Sequence, residues 1–408
     1  VTPTCDVVVV GAGILGAAAA RTLAGRGLSV TVLESGRAGS QGSAATAGNV
    51  HIQGIHTRRP GQRVPVDVQR LVPLQAAAHG AWLRWEDEIP SGTGWHRTGG
   101  WMVAETAEDV AELHRKQRWE AAAGIPTEVV DGAAARRVTP ALGPSVLAAT
   151  WCDWDGWADP AVTTPALVAD ARRAGVEVLE QAPVAAVRPS GDGFLVQARG
   201  VERSCGVVVD VAGPWLGEIC RMVGVEVALA PLAIQMYRSA PAPRQLDHLV
   251  QHVAQGLSVK QADDGRFLVG GGWPAGPLRP DGTADVDAAG VTASAAQASR
   301  VLPLLAAHGP ERAWTGPLSA TPDEMPVIGA LPGHPGFLVA GGTYGFTFAP
   351  LWADVLAAAV TGIAPPVDVA DLGPARLVAA ADGPLHPAGA STVVGTIAGA
   401  TDTDTGKR

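Results

Sequence analysis

The sequence predicts a two-domain α/β fold that opens on a parallel sheet. Three observations predict it. The chain has 408 residues, more than the roughly 100 to 200 of an ordinary domain. A β-branched run, Val7-Val8-Val9-Val10, passes directly into the turn Gly11-Ala12-Gly13-Ile14-Leu15-Gly16. A second apolar run, Ser29 to Leu33, then ends in an acid, Glu34.

Each element has a physical reason. Four consecutive apolar β-branched residues suit a parallel strand covered on both faces, where alternation is not needed. In the turn, Gly11 permits the tight bend, Gly13 lets backbone approach a pyrophosphate, and Gly16 lets the following helix pack closely on the strand. The alanine-rich stretch to Leu23 is helical in character. Its first residues, Ile14 and Leu15, offer unpaired N–H groups and a partial positive charge to phosphate. Glu34, with Ser35 after it, stands at the spacing expected for an acid that holds a ribose hydroxyl, which favours FAD or NAD over NADP. Strand, turn, helix, strand and acid together predict a Rossmann-like nucleotide site.

Composition excludes several classes. With 47% hydrophobic and 17% charged residues the chain can bury large cores, and disorder is not expected. A net charge of −9 without a basic stripe argues against nucleic acid as partner. Cys5, Cys152, Cys205 and Cys220 show neither CxxC nor metal spacing, which fits a reduced, cytoplasmic protein. The apolar run Val7 to Ala20 contains three glycines and follows Asp6, so it reads as strand and turn rather than a signal peptide. No membrane span is expected. His51, His248 and His252 do not make a metal set on a helical face, and no metal is expected.

Further along, Gly39 to Asn49 is a run of small residues, including Gly42, Ser43, Ala47, Gly48 and Asn49, that lets backbone pass close to a flat ring. Asp153-Trp154-Asp155-Gly156-Trp157-Ala158-Asp159-Pro160 leads into a helix expected over Thr163 to Ala174. Strands are expected at Val176 to Leu179, Val184 to Val187 and Val207 to Val211, the last entering Ala212-Gly213-Pro214-Trp215. Thr321-Pro322-Asp323 and Pro326-Val327-Ile328-Gly329 precede a strand, Phe337 to Ala340, and the turn Gly341-Gly342-Thr343-Tyr344-Gly345-Phe346-Thr347. In this order, over residues 5 to about 376, these segments resemble the D-amino-acid oxidase and glycine oxidase family of flavoproteins, in the branch that includes sarcosine oxidases and the hydrogen cyanide synthase type.

That resemblance implies a flavoprotein with a Rossmann-like FAD-binding domain in pieces, 1–80, 151–225 and 312–376. An inserted mixed-sheet substrate domain, 81–150 and 226–311, would roof the flavin, and 377–408 reads as a tail of a poorly ordered kind. Val184 matches the position whose backbone meets adenine, and Ala212, Gly213 and Trp215 the turn beneath FAD. A helix starting near Thr347 would aim its N-terminus at the flavin N1–C2=O edge and stabilise negative charge on reduction. The tethering Cys of sarcosine oxidases would fall near Gly316, so noncovalent FAD is expected.

The chain departs from the family at the substrate. Where glycine-oxidase-like relatives place carboxylate-binding arginines, it has Leu318 and Thr343. Leu offers none of the bidentate donors of a guanidinium. Arg58, Arg59 and Arg238 are candidate replacements. Tyr237, Tyr344 and His51 are candidates for orienting the substrate. The expected chemistry is hydride transfer from the carbon beside a neutral amine to flavin N5, followed by hydrolysis of the imine. The favoured substrate is an N-substituted glycine or bulky secondary amino acid, in a biosynthetic setting, with oxygen or another acceptor taking the electrons. Three alternatives stay open: a D-amino-acid or proline-type dehydrogenase serving a quinone or partner, an NAD-dependent dehydrogenase, and a non-catalytic FAD-binding subunit of a complex. Oligomeric state is not legible.

Overall fold

A computed structural model describes residues 2–54 and 66–378. Its first sheet is built around Thr4–Val10, which pairs in parallel with Val30–Leu33 on one side and Val201–Asp210 on the other, Val7 lying opposite both Val30 and Val207. Val7 and Val9 face a core containing Trp352, while Val8 and Val10 face one containing Phe337. The β-branched run is continuous because both faces of its strand are covered.

The strand Val201–Asp210 changes partners along its length. Residues 201–205 pair antiparallel with Gly193–Ala198, and residues 208–210 pair in parallel with His334–Gly341. The second change delivers the carboxy-terminal glycine turn to the same sheet end as Gly11. Val327–Leu331 adds an antiparallel strand beyond it.

The second sheet is mixed, in the order Arg312–Ala320, Ala230–Pro241, Arg266–Pro274, Ser258–Gln261, Leu249–His252, Gly100–Ala104, Ala148–Cys152, Thr127–Asp131. Its pairs are antiparallel except Leu249–His252 with Gly100–Ala104. A small third sheet joins Asn49–Val50 and Trp95–His96 to Gly156–Ala158. It anchors the end of the small-residue loop. This is the mixed α/β architecture expected of the flavoprotein family.

Two helices begin earlier than the sequence suggests. The one expected from Thr163 spans Pro160–Arg173, because the Asp159 carboxylate accepts from the Ala161 N–H at 2.9 Å and Pro160 fills the first position, where its missing N–H does no harm. The one expected near Thr347 spans Gly345–Thr361, since Tyr344 takes a left-handed conformation (φ 62°, ψ 18°) and the helix starts at the next residue. Leu377 is buried and Val378 bridges to Val227, whereas residues 379–408 lie outside the described ones. Among the described residues, no helix is long and apolar enough to cross a membrane.

Candidate functional site

One cavity of about 780 Å³ runs from the amino-terminal glycine turn to the second sheet. At its first end Gly11 and Gly13 line the cavity. Gly11 has φ +99°, and a Cβ there would lie 3.0 Å from the Val211 carbonyl. Gly16 does not line the cavity. A Cβ on it would stand 1.9 Å from the Gly11 carbonyl oxygen, so its part is to seat helix Ile14–Gly25 against the strand. That helix has Gly13 as cap, which brings no side chain of its own, and no acid in its first turn. Its N-terminus is therefore a positive end turned to the cavity. Ile14 donates its N–H to Ser43 Oγ at 2.9 Å, which ties the small-residue loop to the helix.

Glu34 is buried at the cavity wall. Its Oε2 accepts from the Ala12 N–H at 2.8 Å and its Oε1 from the Gly36 N–H at 2.7 Å, so the acid fixes the turn while bordering the space a ribose would take. Ser35, Val184, Ala212, Gly213 and Trp215 also line this end.

The small-residue loop is pressed between its neighbours. A Cβ on Gly42 would be 2.6 Å from the Pro317 oxygen, and one on Gly48 would be 2.1 Å from the Ala158 oxygen. Gly48 thus packs behind the wall, while Gly42, Ser43, Ala47 and Asn49 line it. Trp314 Nε1 holds the Ala45 carbonyl at 2.9 Å.

From the other side Lys260 Nζ donates to the Ala47 carbonyl and lies 4.3 Å from the centre of the Trp157 ring. Burial pushes its pKa down to about 7 against the opposing pull of Asp159. Sequence reasoning passed over this lysine. The available signal is its rarity, as one of only three lysines in the chain; its strand, Ser258–Gln261, is polar in sequence though buried in the fold.

The carboxy-terminal turn closes the cavity. Gly341, Gly342, Thr343, Tyr344, Gly345, Phe346 and Thr347 all line it, with Gly342 at φ +89°. Thr343 Oγ1 donates to the Glu324 carbonyl at 3.1 Å. The segment before it is braced by Arg376, whose Nε meets Asp323 at 2.7 Å. Helix Gly345–Thr361, like the first, carries no side-chain cap and no first-turn acid. Two helix N-termini with no acid in their first turns thus face one cavity, and its glycine-lined cradle admits backbone close to a ligand. Both features fit FAD, with phosphates at the first terminus and the flavin at the second.

The remaining wall comes from the second sheet and from His51. Leu318 lines it with Met236, Leu257, Ser258 and Gln251. His51 donates its backbone N–H to Thr347 Oγ1 at 3.2 Å. Burial, helped by Lys260 and opposed by Gln251, holds the imidazole pKa down at about 3. Behind it Asp155 accepts from the backbone N–H groups of Ile52 (2.7 Å) and Gln53 (3.0 Å) and from the side-chain amides of Gln53 (2.8 Å) and Gln251 (3.2 Å). Burial raises the Asp155 pKa to about 6 in spite of these donors.

Two expected substrate residues lie elsewhere. Tyr237 is fully buried in the core of the second sheet with Trp101, Val250 and Phe267 and does not line the cavity, whereas its neighbours Gln235 and Met236 do. Arg238 also does not line it, and its Nε lies 4.0 Å from Glu311. Arg58 and Arg59 fall outside the described residues.

Comparison with known proteins agrees with the geometry. The family described as FAD dependent oxidoreductase, DAO, matches residues 6–359. Mitochondrial sarcosine dehydrogenase of Homo sapiens is 30% identical over 357 residues, 83% of this chain but 37% of that protein. The chain therefore spans little more than a third of the length of that relative. Glycine oxidase of Geobacillus kaustophilus is 27% identical over 85% of this chain and 90% of its own. The crystal structure of glycine oxidase from Geobacillus kaustophilus superposes with a TM-score of 0.80 at 25% identity, covering 91% of this chain and 98% of the other.

Proposed function

The chain belongs to the FAD-dependent oxidoreductase family DAO, and from that premise we propose that it oxidises the carbon–nitrogen bond of an N-substituted glycine or another bulky secondary amino acid. The observation that carries this reading is the wall opposite the carboxy-terminal turn. Among its described residues, Leu318, Met236 and Leu257 are apolar, and Gln251, Ser258 and the neutral His51 supply polarity without a fixed positive charge. Such a wall suits an alkyl substituent on the amine nitrogen, whose burial against apolar side chains is favourable. Relatives named for glycine and for sarcosine, which is N-methylglycine, support the substrate class.

FAD supplies the two-electron acceptor for a hydride. The protein's own residues hold the reacting carbon in line, exclude water and aim helix Gly345–Thr361 at the edge where charge gathers. The loss of a proton by the amine before oxidation is favoured by an apolar wall, because burial penalises the ammonium form. FAD is held without a covalent bond in this reading. No cysteine lines the cavity among the described residues, and a Cβ at Gly316 would be 2.9 Å from Ala45 Cβ, so that position has no room for a tether. Acid precipitation should leave the flavin in the supernatant.

Turnover measured across glycine, sarcosine, D-proline and N-alkylglycines tests the substrate, and fastest oxidation of glycine would sink it. Peroxide release in the same assay separates an oxidase from a dehydrogenase. The dehydrogenase reading has its own support in the sarcosine dehydrogenase relatives.

A further inference from the structure

Four glycines of the second sheet line the cavity, Gly270, Gly271 and Gly272 on Arg266–Pro274 and Gly316 on Arg312–Ala320. Three of them are glycine for reasons internal to the protein. Gly271 and Gly272 have φ +128° and +74°, and a Cβ on Gly271 would lie 2.2 Å from the Gly256 carbonyl carbon. A Cβ on Gly316 would press on Ala45. Gly270 has no such reason. Its φ lies outside the left-handed region, and among the described residues a Cβ there would meet only Ser258 Oγ at 3.4 Å and Met236 Cβ at 3.8 Å, which are ordinary contact distances. A glycine inside a strand gives up side-chain packing and backbone stiffness. A bare position that the protein's own packing does not require therefore points to a ligand that comes close. Ser258 lies opposite Gly270 on the neighbouring strand, and Gln251 lies opposite Ser258 on the next. Met236, Gly270, Ser258 and Gln251 thus form one row across four adjacent strands on the cavity wall, and the row has a gap at Gly270.

We propose that the gap over Gly270 receives the substituent on the substrate's amine nitrogen, and that Gly270 sets how long this substituent can be. The inference rests on the substrate reading above. An alkyl chain laid over Gly270 has the bare backbone beneath it, Met236 on one flank and Ser258 on the other. Met236 is unbranched and adapts its shape to an apolar neighbour. Each methylene that enters the gap leaves water and gains about fourfold in affinity. Once the gap is full, a further carbon has to displace packed side chains, and close-packed interiors resist this. Affinity therefore climbs with chain length and then breaks at a fixed length. A methyl group at position 270 occupies the place of one carbon, so the break comes one carbon sooner. Gly270→Ala shows this cleanly, because its Cβ meets no described atom of the protein closer than 3.4 Å. The cavity narrows while the strand keeps its place.

The test uses alkoxyacetates, in which an ether oxygen replaces the amine N–H and no imine can form. The series from methoxyacetate to hexyloxyacetate is titrated into the FAD-loaded protein, and binding is followed by the shift in flavin absorbance. In the unaltered protein affinity should rise about fourfold per carbon up to a limiting length. In Gly270→Ala the limit should fall by one carbon, so that the ligand at the old limit loses about tenfold while methoxyacetate binds as before. Ser258→Ala, which removes the hydroxyl beside the gap, should act in the opposite direction and tighten binding of the ligand at the limit. An equal loss for every ligand in Gly270→Ala, or no loss for any, overturns the proposal. So does a Gly270→Ala protein that holds less flavin and keeps the same limiting length, because the gap then belongs to the flavin ring. Absence of binding by the whole series, in a protein whose flavin N-alkylglycines reduce, overturns it as well. The substrate reading fails on a separate measurement, flavin that no N-alkylglycine reduces, so the two failures are distinguishable.

Discussion

Lys260 permits a prediction with a calculable size. It is 3% exposed, and burial brings its pKa from 10.5 down to about 7. The unfolded chain keeps the ordinary value, so between pH 7 and 10.5 the unfolded state carries a proton that the folded state lacks. Stability attributable to this residue therefore rises with pH across that window and is lowest below pH 7. At about 1.4 kcal/mol per pH unit, the full penalty in acid is about 5 kcal/mol, shrinking to about 2 kcal/mol at pH 9. Lys260→Met removes the titration while keeping an unbranched side chain over Trp157. Its other effects, chiefly the loss of the bond to the Ala47 carbonyl, do not vary with pH. The stability of the variant relative to the unaltered protein should therefore be about 3 kcal/mol more favourable at pH 6 than at pH 9. Urea denaturation followed by tryptophan fluorescence measures both proteins at both pH values. An equal difference at pH 6 and pH 9 would refute the reasoning, because it would mean that the folded and unfolded states bind the same number of protons at this site.

Three other changes probe the two ends of the cavity. Glu34→Ala removes the acceptor that borders the ribose space and orders Ala12 and Gly36; the loss of charged hydrogen bonds, about 1.5–3 kcal/mol, should weaken FAD binding roughly tenfold or more, measured by the fluorescence of released flavin. Gly16→Ala drives a methyl to 1.9 Å from the Gly11 oxygen, so an overpacking penalty of about 1–3 kcal/mol should appear as a lower thermal midpoint and a lower flavin content. Leu318→Arg puts a guanidinium on the wall opposite the flavin end. If the carboxylate side of the substrate lies there, the KM for glycine should fall about tenfold, while turnover of N-alkylglycines declines; an unchanged KM for glycine places the carboxylate elsewhere.

The elements that the sequence made legible are those whose chemistry is local. Gly11, Gly13 and Gly16 are constrained by one turn and the helix it enters, and Glu34 bonds back to Ala12 and forward to Gly36. The carboxy-terminal run ends in a helix whose cap, Tyr344, is set by its own backbone dihedrals. Such features leave a trace in residue type and spacing because their partners are a few residues or one strand away. Helix starts were misjudged by two or three residues where a cap decided them, Asp159 in one case and Tyr344 in the other.

The substrate end had no comparable trace. Tyr237 and Met236 are adjacent on Ala230–Pro241, and only their facing decides which one meets the ligand. The pairing of that strand with Arg266–Pro274 slips between Gln235 and Tyr237. A bulge of this kind re-aims side chains that alternation alone would assign to opposite faces, and Gln235 and Met236 both reach the cavity as Tyr237 turns into the core. Lys260 has no local signal either, because the groups packed on it, Ala47 and Trp157, come from distant parts of the chain. By itself, then, the sequence determined an α/β protein of the flavoprotein kind and the two glycine turns that line its cavity, because those depend on backbone conformation within short segments. The make-up of the cavity wall that brings His51, Gln251 and Leu318 together was decided by the tertiary structure, because strand register and burial are properties of the assembled chain.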